Sequence, residues 1–596
     1  MINLYKSVLF RYIFFREKNT KNATSFSSRL LFIVIFFSFI LMHVQTTMAQ
    51  MVEVSFSNKV QQSTLIVEAK VIQKQASWND ANTRIYTANE IEIYKVFKGQ
   101  LPSGNYQIIT QGGIVSSDKH EVRPSLQLSV GDIGVYFLES SSANLSAVNG
   151  IKLSPIAEQQ GFYKYDDISG RAISPFDYNQ LVNQLHTAIQ AQTNQVFTQN
   201  IPYIFDPYQY PESGGLVPVI TSVSPSSINA GVGDTLTITG TGFGTLDPTS
   251  KVQFLDAAYY PSVQYIDVSN FISWNDLEIK LIVPHKSDNG ETIGGGDFIK
   301  VVNQSGTATS TQVLTINYNH INANPSEEIQ HINDNGTGGY TFIFNNAFET
   351  TVSGSVSAFE RALDTWKCGT RINWRTTTVT TTTNTSAQDG ENIVTFGSLG
   401  TPDYGTFFSS SYLYFSNCSG TDWYLTEADI IFTSVFTFHT ATTQPSGQVD
   451  LESEALHTLG YAHLLSNVRD ANDPMQVFLP NPFGDTLRAL TQNNIDGGIY
   501  VKDKSVNTPI CGQPAMIMSP ICLQPLSCSV TVSNTPPIVC NGDTTILDAG
   551  NFANYDWNTG DSTKTINASN TGYYLVNVTD TNGCNDSDSI SLSLIS

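Results

Sequence analysis

The stretch Ala455–Leu465, which reads ALHTLGYAHLL, places histidine, threonine and tyrosine at spacings that matter for metal chemistry. Side chains four positions apart share a face of an α-helix, so His457 and Tyr461 would point the same way. Two histidines at that spacing can share one zinc ion, and a glutamate beside the first can take a proton from zinc-bound water. Thr458 stands beside His457 instead, and its neutral hydroxyl cannot accept that proton near neutral pH. The stretch therefore offers one residue of the zinc-ligand type, His457, without the second histidine or the glutamate that zinc-dependent hydrolysis needs.

The other donors near His457 do not complete a zinc site on the helix itself. His463 lies six residues further on, about 240° around a helix, and so faces another way. The phenol of Tyr461 has an ordinary pKa of about 10 and binds a metal only once it is deprotonated. Asp470 and Asp473 follow in the next loop and could bend back towards His457. Because one histidine cannot form a three-ligand zinc site, we expect His457 to be a helix residue hydrogen-bonded to a neighbour.

Residues 451–478, LESEALHTLGYAHLLSNVRDANDPMQVF, resemble the catalytic helix and following loop of metzincin zinc peptidases, specifically their matrixin-like bacterial relatives. That family carries HExxHxxGxxH followed by a Met-containing turn. The resemblance implies that His457 keeps the first zinc ligand and that Thr458 occupies the general-base position. Tyr461 and Asn467 occupy the other two ligand positions, and an Asn carbonyl suits hard cations better than zinc.

Of two further positions of the same motif, one is altered and the other is kept. Leu464 stands where the family has its turning glycine, and Met475 is the Met-turn residue, which packs beneath the metal. We expect Ser466 and Asn467 to supply the left-handed backbone that the glycine would give, since Asn tolerates that conformation better than most residues. The resemblance therefore implies a folded α+β metzincin-like domain whose active site is degenerate and inactive.

Size and charge limit the possible functions of the whole chain. The 596 residues are too many for one core, and their formal net charge of −22 argues against nucleic-acid binding, because phosphates would be repelled. Charged residues make up only 14% of the chain, a composition typical of extracellular β-rich modules.

The N-terminus has the pattern of a secretory signal peptide. Arg29 precedes the apolar run Leu30–Met42, and small residues follow near Ala49. The run is short for a membrane span, although an uncleaved anchor is the alternative. No later stretch could cross a bilayer. We therefore expect export, with the mature chain secreted or held on the outer cell surface and not integral to the membrane.

Alternation and turn residues divide the chain into β-rich modules around one α+β domain. The segment 216–318, beginning PVITSVSPSSINAGVGDTLTITGTGFGT at Pro218, resembles an IPT/TIG domain, an immunoglobulin-like β-sandwich, and the tail resembles Ig-like repeats of secreted Gram-negative surface proteins. The expected divisions are a signal peptide (1–49), a β-sandwich or barrel (50–200), a linker (201–215), the IPT/TIG domain (216–318), the metzincin-like domain (320–525) and an Ig-like β-sandwich (528–596).

All seven cysteines lie in the C-terminal part of the chain, from Cys368 onwards, and none forms a zinc-ribbon spacing. In an oxidising compartment disulfides are the default. We expect the pairs Cys368–Cys418 and Cys540–Cys584.

The sequence favours a binding or adhesive role, with an extracellular protein or glycan as ligand and no cofactor. The alternative is an active zinc endopeptidase with an altered ligand set, such as His457 with Asp470 or Asp473. A third possibility is an adhesin in which the peptidase-like domain is only a spacer. An exposed aromatic patch at Tyr412, Tyr414 and Phe415 would favour a binding cleft, whereas alternation favours core positions for these residues.

Overall fold

The computed structural model describes residues 51–596 apart from several short gaps. Residues 1–50, including the expected signal peptide, lie outside the described part. The gaps are 167–168, 178–179, 206–215, 248–249, 258–264, 288–292, 325–326, 400–406, 442–444, 446, 471–472, 474, 476–485, 521–532, 536–543, 580–584 and 593–596.

The N-terminal domain is a β-barrel flanked by two helices. Its sheet runs in the order β1-β2-β3-β7-β6-β8-β9, and β6 also pairs with β1, which closes the barrel. The elements are α1 (Phe56–Gln62), β1 (Leu65–Trp78), β2 (Ile85–Lys98), β3 (Tyr106–Gln111), β4 (Gly113–Val115), β5 (Asp118–Arg123), β6 (Ile133–Ser140), β7 (Ile151–Pro155), β8 (Phe162–Asp166), β9 (Arg171–Ile173), α2 (Val182–Thr193) and β10 (Thr198–Gln199). The hairpin β4–β5 leaves the barrel and joins another domain.

The second domain is a β-sandwich. One sheet has the order β11-β13-β17-β16 and the other β15-β14-β18-β19, and apolar side chains from both fill the space between them. The strands are β11 (Val219–Ser224), β12 (Ser227–Ala230), β13 (Thr235–Thr241), β14 (Lys251–Leu255), β15 (Tyr265–Val268), β16 (Phe271–Trp274), β17 (Glu278–Ile282), β18 (Lys300–Asn303), β19 (Gly306–Thr309) and β20 (Thr315–His320). Strand β20 leads into the third domain.

The third domain is a mixed sheet with helices packed on it. Its central strands run in the order β24-β23-β25-β27-β26, parallel except that β26 is antiparallel to β27. The elements are β21 (Asn322–Asn324), β22 (Glu327–Gln330), β23 (Tyr340–Asn345), α3 (Phe348–Thr351), α4 (Ser355–Thr370), β24 (Trp374–Thr381), β25 (Asn392–Gly397), β26 (Ser409–Asn417), β27 (Trp423–Thr433), β28 (Phe438–His439), β29 (Val449–Asp450), α5 (Leu451–Ala462), β30 (Leu465–Ser466) and α6 (Gln492–Asn507).

Amphipathic spacing explains how helix α4 packs in this domain. Phe359, Leu363 and Trp366, spaced for one helix face, are all buried. The indole Nε1 of Trp366 donates a hydrogen bond to the carbonyl oxygen of Leu456 at 2.8 Å, which fixes α4 against α5. The threonine-rich run after α4 forms the edge strand β24, as its β-branched residues predict.

The described part of the C-terminal segment forms two three-stranded sheets, β31-β32-β34 and β33-β35-β36. Trp557 is buried in the core between them. The strands are β31 (Ser533–Thr535), β32 (Thr545–Asp548), β33 (Asn554–Trp557), β34 (Thr565–Ala568), β35 (Gly572–Thr579) and β36 (Asn585–Leu592).

The disulfide between Cys418 and Cys511 joins the end of β26 to the segment that follows α6. The expected Cys368–Cys418 pair is therefore wrong, and Cys368 is disulfide-bonded to a different cysteine. The pairing depends on long-range folding, which cysteine order does not reveal. Cys540 and Cys584 lie outside the described residues. None of the described helices combines the length and apolar character that a membrane crossing requires.

Candidate functional site

Helix α5 carries the predicted site residues and is buried on every side. All twelve of its residues are buried. Its N-cap is Asp450, whose side chain accepts a hydrogen bond from the backbone N–H of Ser453 at 3.1 Å. The guanidinium of Arg488 holds the same carboxylate, with Nε 2.8 Å from Oδ2. These contacts fix where the helix begins and so fix the direction of the side chains one and two turns later.

His457, Tyr461 and Asn467 come together beyond this cap. The rings of His457 and Tyr461 meet edge to face, with centroids 4.7 Å apart and planes at 84°. The phenol of Tyr461 donates a hydrogen bond to Oδ1 of Asn467 at 2.6 Å. Burial raises the pKa of Tyr461, so its phenol stays neutral across the physiological range. Tyr461 therefore contacts both other residues at the predicted ligand positions, and it hydrogen-bonds to one of them.

Thr458 is tied to its own helix. Its hydroxyl donates to the carbonyl oxygen of Glu454 at 3.0 Å, and the side chain is fully buried. Its backbone carbonyl accepts a hydrogen bond from Oγ of Ser411 on β26, also at 3.0 Å. The bond from Ser411 holds α5 against the sheet. The Thr458 side chain offers no base.

Glu454 is a buried carboxylate that is not part of the zinc-peptidase motif. It lies three residues before His457 and seven before Tyr461, which is the spacing of one helix face. Oγ of Ser409 on β26 donates a hydrogen bond to its Oε1. The same 3- and 7-residue spacing was present in the sequence and could have identified it.

The turn after α5 is left-handed at Leu464, where φ is +63°. The expectation that Ser466 and Asn467 would take this conformation is wrong, since neither has a positive φ. The left-handed region costs a non-glycine residue about 1–2 kcal/mol. Complete burial of the Leu464 side chain offsets part of that cost. The left-handed turn thus lies at Leu464, the position at which the resembled family has its glycine.

Met475 packs directly beneath α5. A methyl carbon built on Gly460 would lie 2.0 Å from Sδ of Met475 and 3.2 Å from Cζ2 of Trp366. Only glycine fits this position of the helix, because the thioether and the indole already fill the space.

His463 has surroundings quite different from those of His457. Its Nε2 lies 2.9 Å from Oγ1 of Thr370, and its ring is 5.2 Å from the rings of Trp366 and Trp374. Burial lowers the pKa of His463 to about 3. It is a neutral histidine of the core.

Both carboxylate oxygens of Asp473 accept hydrogen bonds at the start of helix α6. Its Oδ1 accepts from the backbone N–H of Met475 at 2.7 Å and from Nδ2 of Asn494 at 2.8 Å. Its Oδ2 accepts from the hydroxyl of Thr491, the N-cap, at 2.9 Å. Asp470 lines a separate cavity of about 470 Å³ between the second and third domains.

The residues present do not fit a zinc ion as they are arranged. The phenol oxygen and the amide oxygen at two of the ligand positions hydrogen-bond to each other, and the phenol keeps its proton. Zinc requires unprotonated donors converging on one point. Within the described residues, histidine, cysteine, aspartate and glutamate nowhere form a group of three that could hold a metal ion.

Two other domains close over this site. Strand β5 of the barrel pairs antiparallel with the edge strand β26, and Ser411 lies opposite Arg123. Nη1 of Arg123 donates to Oγ of Ser466 at 2.9 Å, next to Asn467. From the sandwich, Gly294 approaches so closely that an added methyl carbon would lie 1.9 Å from the carbonyl oxygen of Asn467.

The aromatic residues of β26 are core residues. Tyr412, Tyr414 and Phe415 are all buried, so they form no exposed patch. His120 of the barrel packs edge to face on Tyr414 with centroids 4.5 Å apart. These aromatic side chains pack against other parts of the same chain.

Comparison with known families matches residues 218–318 to the IPT/TIG domain, which confirms the prediction for that segment. The match does not reach residues 320–525, so the metallopeptidase resemblance there stays a prediction. No curated protein matches the chain.

Several solved structures share short or distant similarity with the chain. A Bacteroides thetaiotaomicron protein of unknown function is 19% identical over 17% of this chain and 22% of its own, with a TM-score of 0.14. An auxiliary nutrient binding protein from the same organism is 15% identical over 22% of this chain and 27% of its own, with a TM-score of 0.13. SGBP-B from a complex xyloglucan utilization locus in Bacteroides uniformis is 10% identical over 45% of this chain and 55% of its own, again with a TM-score of 0.13. The chain thus spans at most 55% of the length of any of these three structures.

Proposed function

We propose that this chain is an exported, multidomain binding protein whose residues 320–525 form a zinc-peptidase-like domain that no longer hydrolyses peptides. The export and the location, secreted or on the outer cell surface, rest on the N-terminal sequence pattern and on the disulfide Cys418–Cys511. The expected ligand is an extracellular protein or glycan.

The proposed loss of hydrolysis rests mainly on one observation. The hydrogen bond of 2.6 Å from Tyr461 to Asn467 joins two of the three positions at which the resembled family holds its zinc. A second observation supports the proposal. Thr458 occupies the general-base position of that family, and its hydroxyl donates a hydrogen bond to the carbonyl oxygen of Glu454 in its own helix. A hydrolase of this kind needs a base within reach of a bound water, and a neutral hydroxyl cannot serve.

The closed surroundings of His457 favour ligand binding at another part of the chain. Strand β5 covers the edge of β26, and every residue of α5 is buried. An extended peptide needs a free strand edge or an open groove to reach His457. The binding surface of the chain is therefore expected on its β-rich modules.

The test is a proteolysis assay with the purified full chain, unfolded protein substrates and added zinc. We expect no cleavage above that of a His457→Ala variant. Chelator-sensitive cleavage that disappears in His457→Ala would instead support the zinc endopeptidase with an altered ligand set. Asp473 is a poor member of such a set, because both of its oxygens are engaged at the start of α6.

A further inference from the structure

A cleft with a volume of about 300 Å³ lies between the barrel and the sandwich. Side chains of both domains line it. The side chains of Lys251 and Asp267 are 30% and 39% exposed, so solvent reaches the cleft. Small-molecule sites of proteins have volumes of about 300–1,000 Å³, so the cleft has room for a small ligand. Its polar lining, which we call the cleft residues, includes Asp132 and Lys164 of the barrel and Lys251, Gln253, Tyr265 and Asp267 of the sandwich.

Strand register and ion pairs hold the cleft residues in place. Gln253 on β14 stands opposite Asp267 on β15, and its Nε2 donates to Oδ1 of Asp267 at 2.8 Å. Lys251, two residues earlier and so on the same face of β14, has its Nζ 2.8 Å from Oδ2 of Asp267. On the barrel side, Nζ of Lys164 lies 3.0 Å from Oδ1 of Asp132. Each of these ammonium groups is therefore paired with a carboxylate without any ligand.

This pairing favours an uncharged ligand. The two lysines and their two carboxylates balance each other. Asp166 adds a further carboxylate to the lining, and it accepts a hydrogen bond from Oγ of Ser169 at 2.5 Å. An anion would meet a lining with excess negative charge, and a cation would compete with a lysine for its carboxylate. A neutral ligand leaves both ion pairs intact.

The polar groups of the cleft suit hydroxyls. A hydroxyl donates one hydrogen bond and accepts others, and an ion pair offers an N–H donor and a carboxylate acceptor side by side. Gln253 adds an amide whose side chain is 5% exposed and whose Oε1 has no hydrogen-bond partner within the described residues. A buried acceptor without a partner is costly, so a ligand hydroxyl that donates to this oxygen would be stabilising. Several hydroxyls on one small molecule would meet these groups together.

Tyr265 gives the cleft an aromatic wall. Nζ of Lys300 lies 3.5 Å from the centre of its ring, a cation–π contact that restrains the ring. Two aliphatic side chains of the barrel, Val130 and Ile133, line the same cleft. A sugar ring has apolar faces of C–H groups and a polar rim of hydroxyls. It therefore matches a lining in which aromatic and aliphatic carbon lies beside polar groups.

We propose that the cleft residues bind a neutral saccharide, such as a segment of an uncharged glycan chain. Its hydroxyls contact the two ion pairs and Gln253, and one C–H face packs on Tyr265. The inference rests on the proposed binding function, which allows a protein or a glycan as ligand, and it selects the glycan. It also places the site between two of the β-rich modules.

The experiment is isothermal titration calorimetry of the purified full chain with cellohexaose, xylohexaose, mannohexaose and maltohexaose. Hexagalacturonate is the acidic comparison, and a casein-derived peptide mixture tests a protein ligand. We expect at least one neutral hexasaccharide to bind and hexagalacturonate not to bind. Tyr265→Ala should weaken the binding at least tenfold. Asp267→Asn, which keeps the shape of the side chain but breaks the ion pair with Lys251, should weaken it about tenfold.

Tyr573→Ala is the matched control, because Tyr573 is a tyrosine of the C-terminal segment that is 60% exposed and does not line the cleft. It should bind the saccharide as the unaltered chain does. Circular dichroism checks that each variant folds, and Asp267→Asn serves if Tyr265→Ala does not.

The inference is overturned if none of the neutral hexasaccharides binds, or if Tyr265→Ala and Asp267→Asn both bind them with unchanged affinity. In the second case the proposed binding function stands and only the cleft is rejected. Casein peptides that bind in place of the saccharides, with an affinity that Tyr265→Ala lowers, would overturn it by assigning the cleft to a protein ligand. The loss of hydrolysis is judged separately, by the proteolysis assay with His457→Ala.

Discussion

The phenol of Tyr461 donates a hydrogen bond to the side-chain oxygen of Asn467 at 2.6 Å, and this bond links helix α5 to the loop that follows it. Both residues are buried, at 0% and 3% exposure. The bond stands where the resembled peptidases hold a metal, so a neutral polar pair is proposed to have taken over a structural task of the ion.

Tyr461→Phe should destabilise the chain, because it removes the donor and leaves the buried Asn467 oxygen without it. We expect the free energy of unfolding in urea to fall by about 1–3 kcal/mol. The double variant Tyr461→Phe/Asn467→Leu removes both polar groups and should recover part of the loss. An unchanged urea midpoint in Tyr461→Phe would show that this bond contributes nothing.

Restoring the two missing ligands tests the proposed relationship to zinc peptidases. In Tyr461→His/Asn467→His, three imidazoles would stand at the positions occupied by His457, Tyr461 and Asn467. We expect about one zinc ion per chain by elemental analysis, against none in the unaltered protein. Adding His457→Ala to the double variant should remove the zinc. Zinc retained in that triple variant would mean that the ion binds elsewhere.

Gly460→Ala should reveal the contact between α5 and Met475. Alanine favours a helix over glycine by about 1 kcal/mol. Its methyl carbon would, however, lie 2.0 Å from Sδ of Met475, and overpacking of this kind costs about 1–3 kcal/mol. We expect net destabilisation in urea unfolding. In a Met475→Ala background the loss should be smaller, because only the 3.2 Å approach to Cζ2 of Trp366 remains. An equal loss in both backgrounds would exclude the contact with Met475 as the cause.

Glu427 should make stability depend on pH. Burial raises its pKa to about 8, and the carboxylates of Asp429, Asp389 and Asp334 face it. Since this folded-state pKa lies above the unfolded value of about 4.3, the stabilisation is complete below that value and is lost as pH rises through about 8. We expect unfolding free energies in urea to fall between pH 5 and pH 9 by about 1.4 kcal/mol per unit of pKa difference. Burial raises the pKa of Asp429 as well, so Glu427→Gln should reduce the slope without removing it. An unchanged slope would contradict the assignment.

Local patterns in the sequence predict the elements of the third domain well. Helical spacing of Phe359, Leu363 and Trp366 gives α4, and the threonine run gives β24. The same spacing brings His457 and Tyr461 to one face of α5. These features depend on neighbouring residues alone, and neighbouring residues are what a single sequence displays.

Long-range features could not be predicted in the same way. The partner of Cys418 is 93 residues away, and the strand partner of β26 comes from another domain. Strand pairing uses backbone groups that every sequence possesses, so no residue type marks it. The left-handed backbone of Leu464 could not be predicted from the sequence either, because only the burial of its side chain in the folded protein offsets the strain.

The pairing of β5 with β26 also orders the assembly of the molecule. Ser416 and Asp118, which hydrogen-bond across these strands, are 298 residues apart in the chain. During synthesis the hairpin is made long before its partner, so the backbone groups of β5 stay unpaired with β26 until the third domain has been made. A fragment that begins after the barrel would conversely present β26 as a bare sheet edge, which invites intermolecular aggregation. Strand β5 of the barrel thus protects the third domain from intermolecular strand pairing.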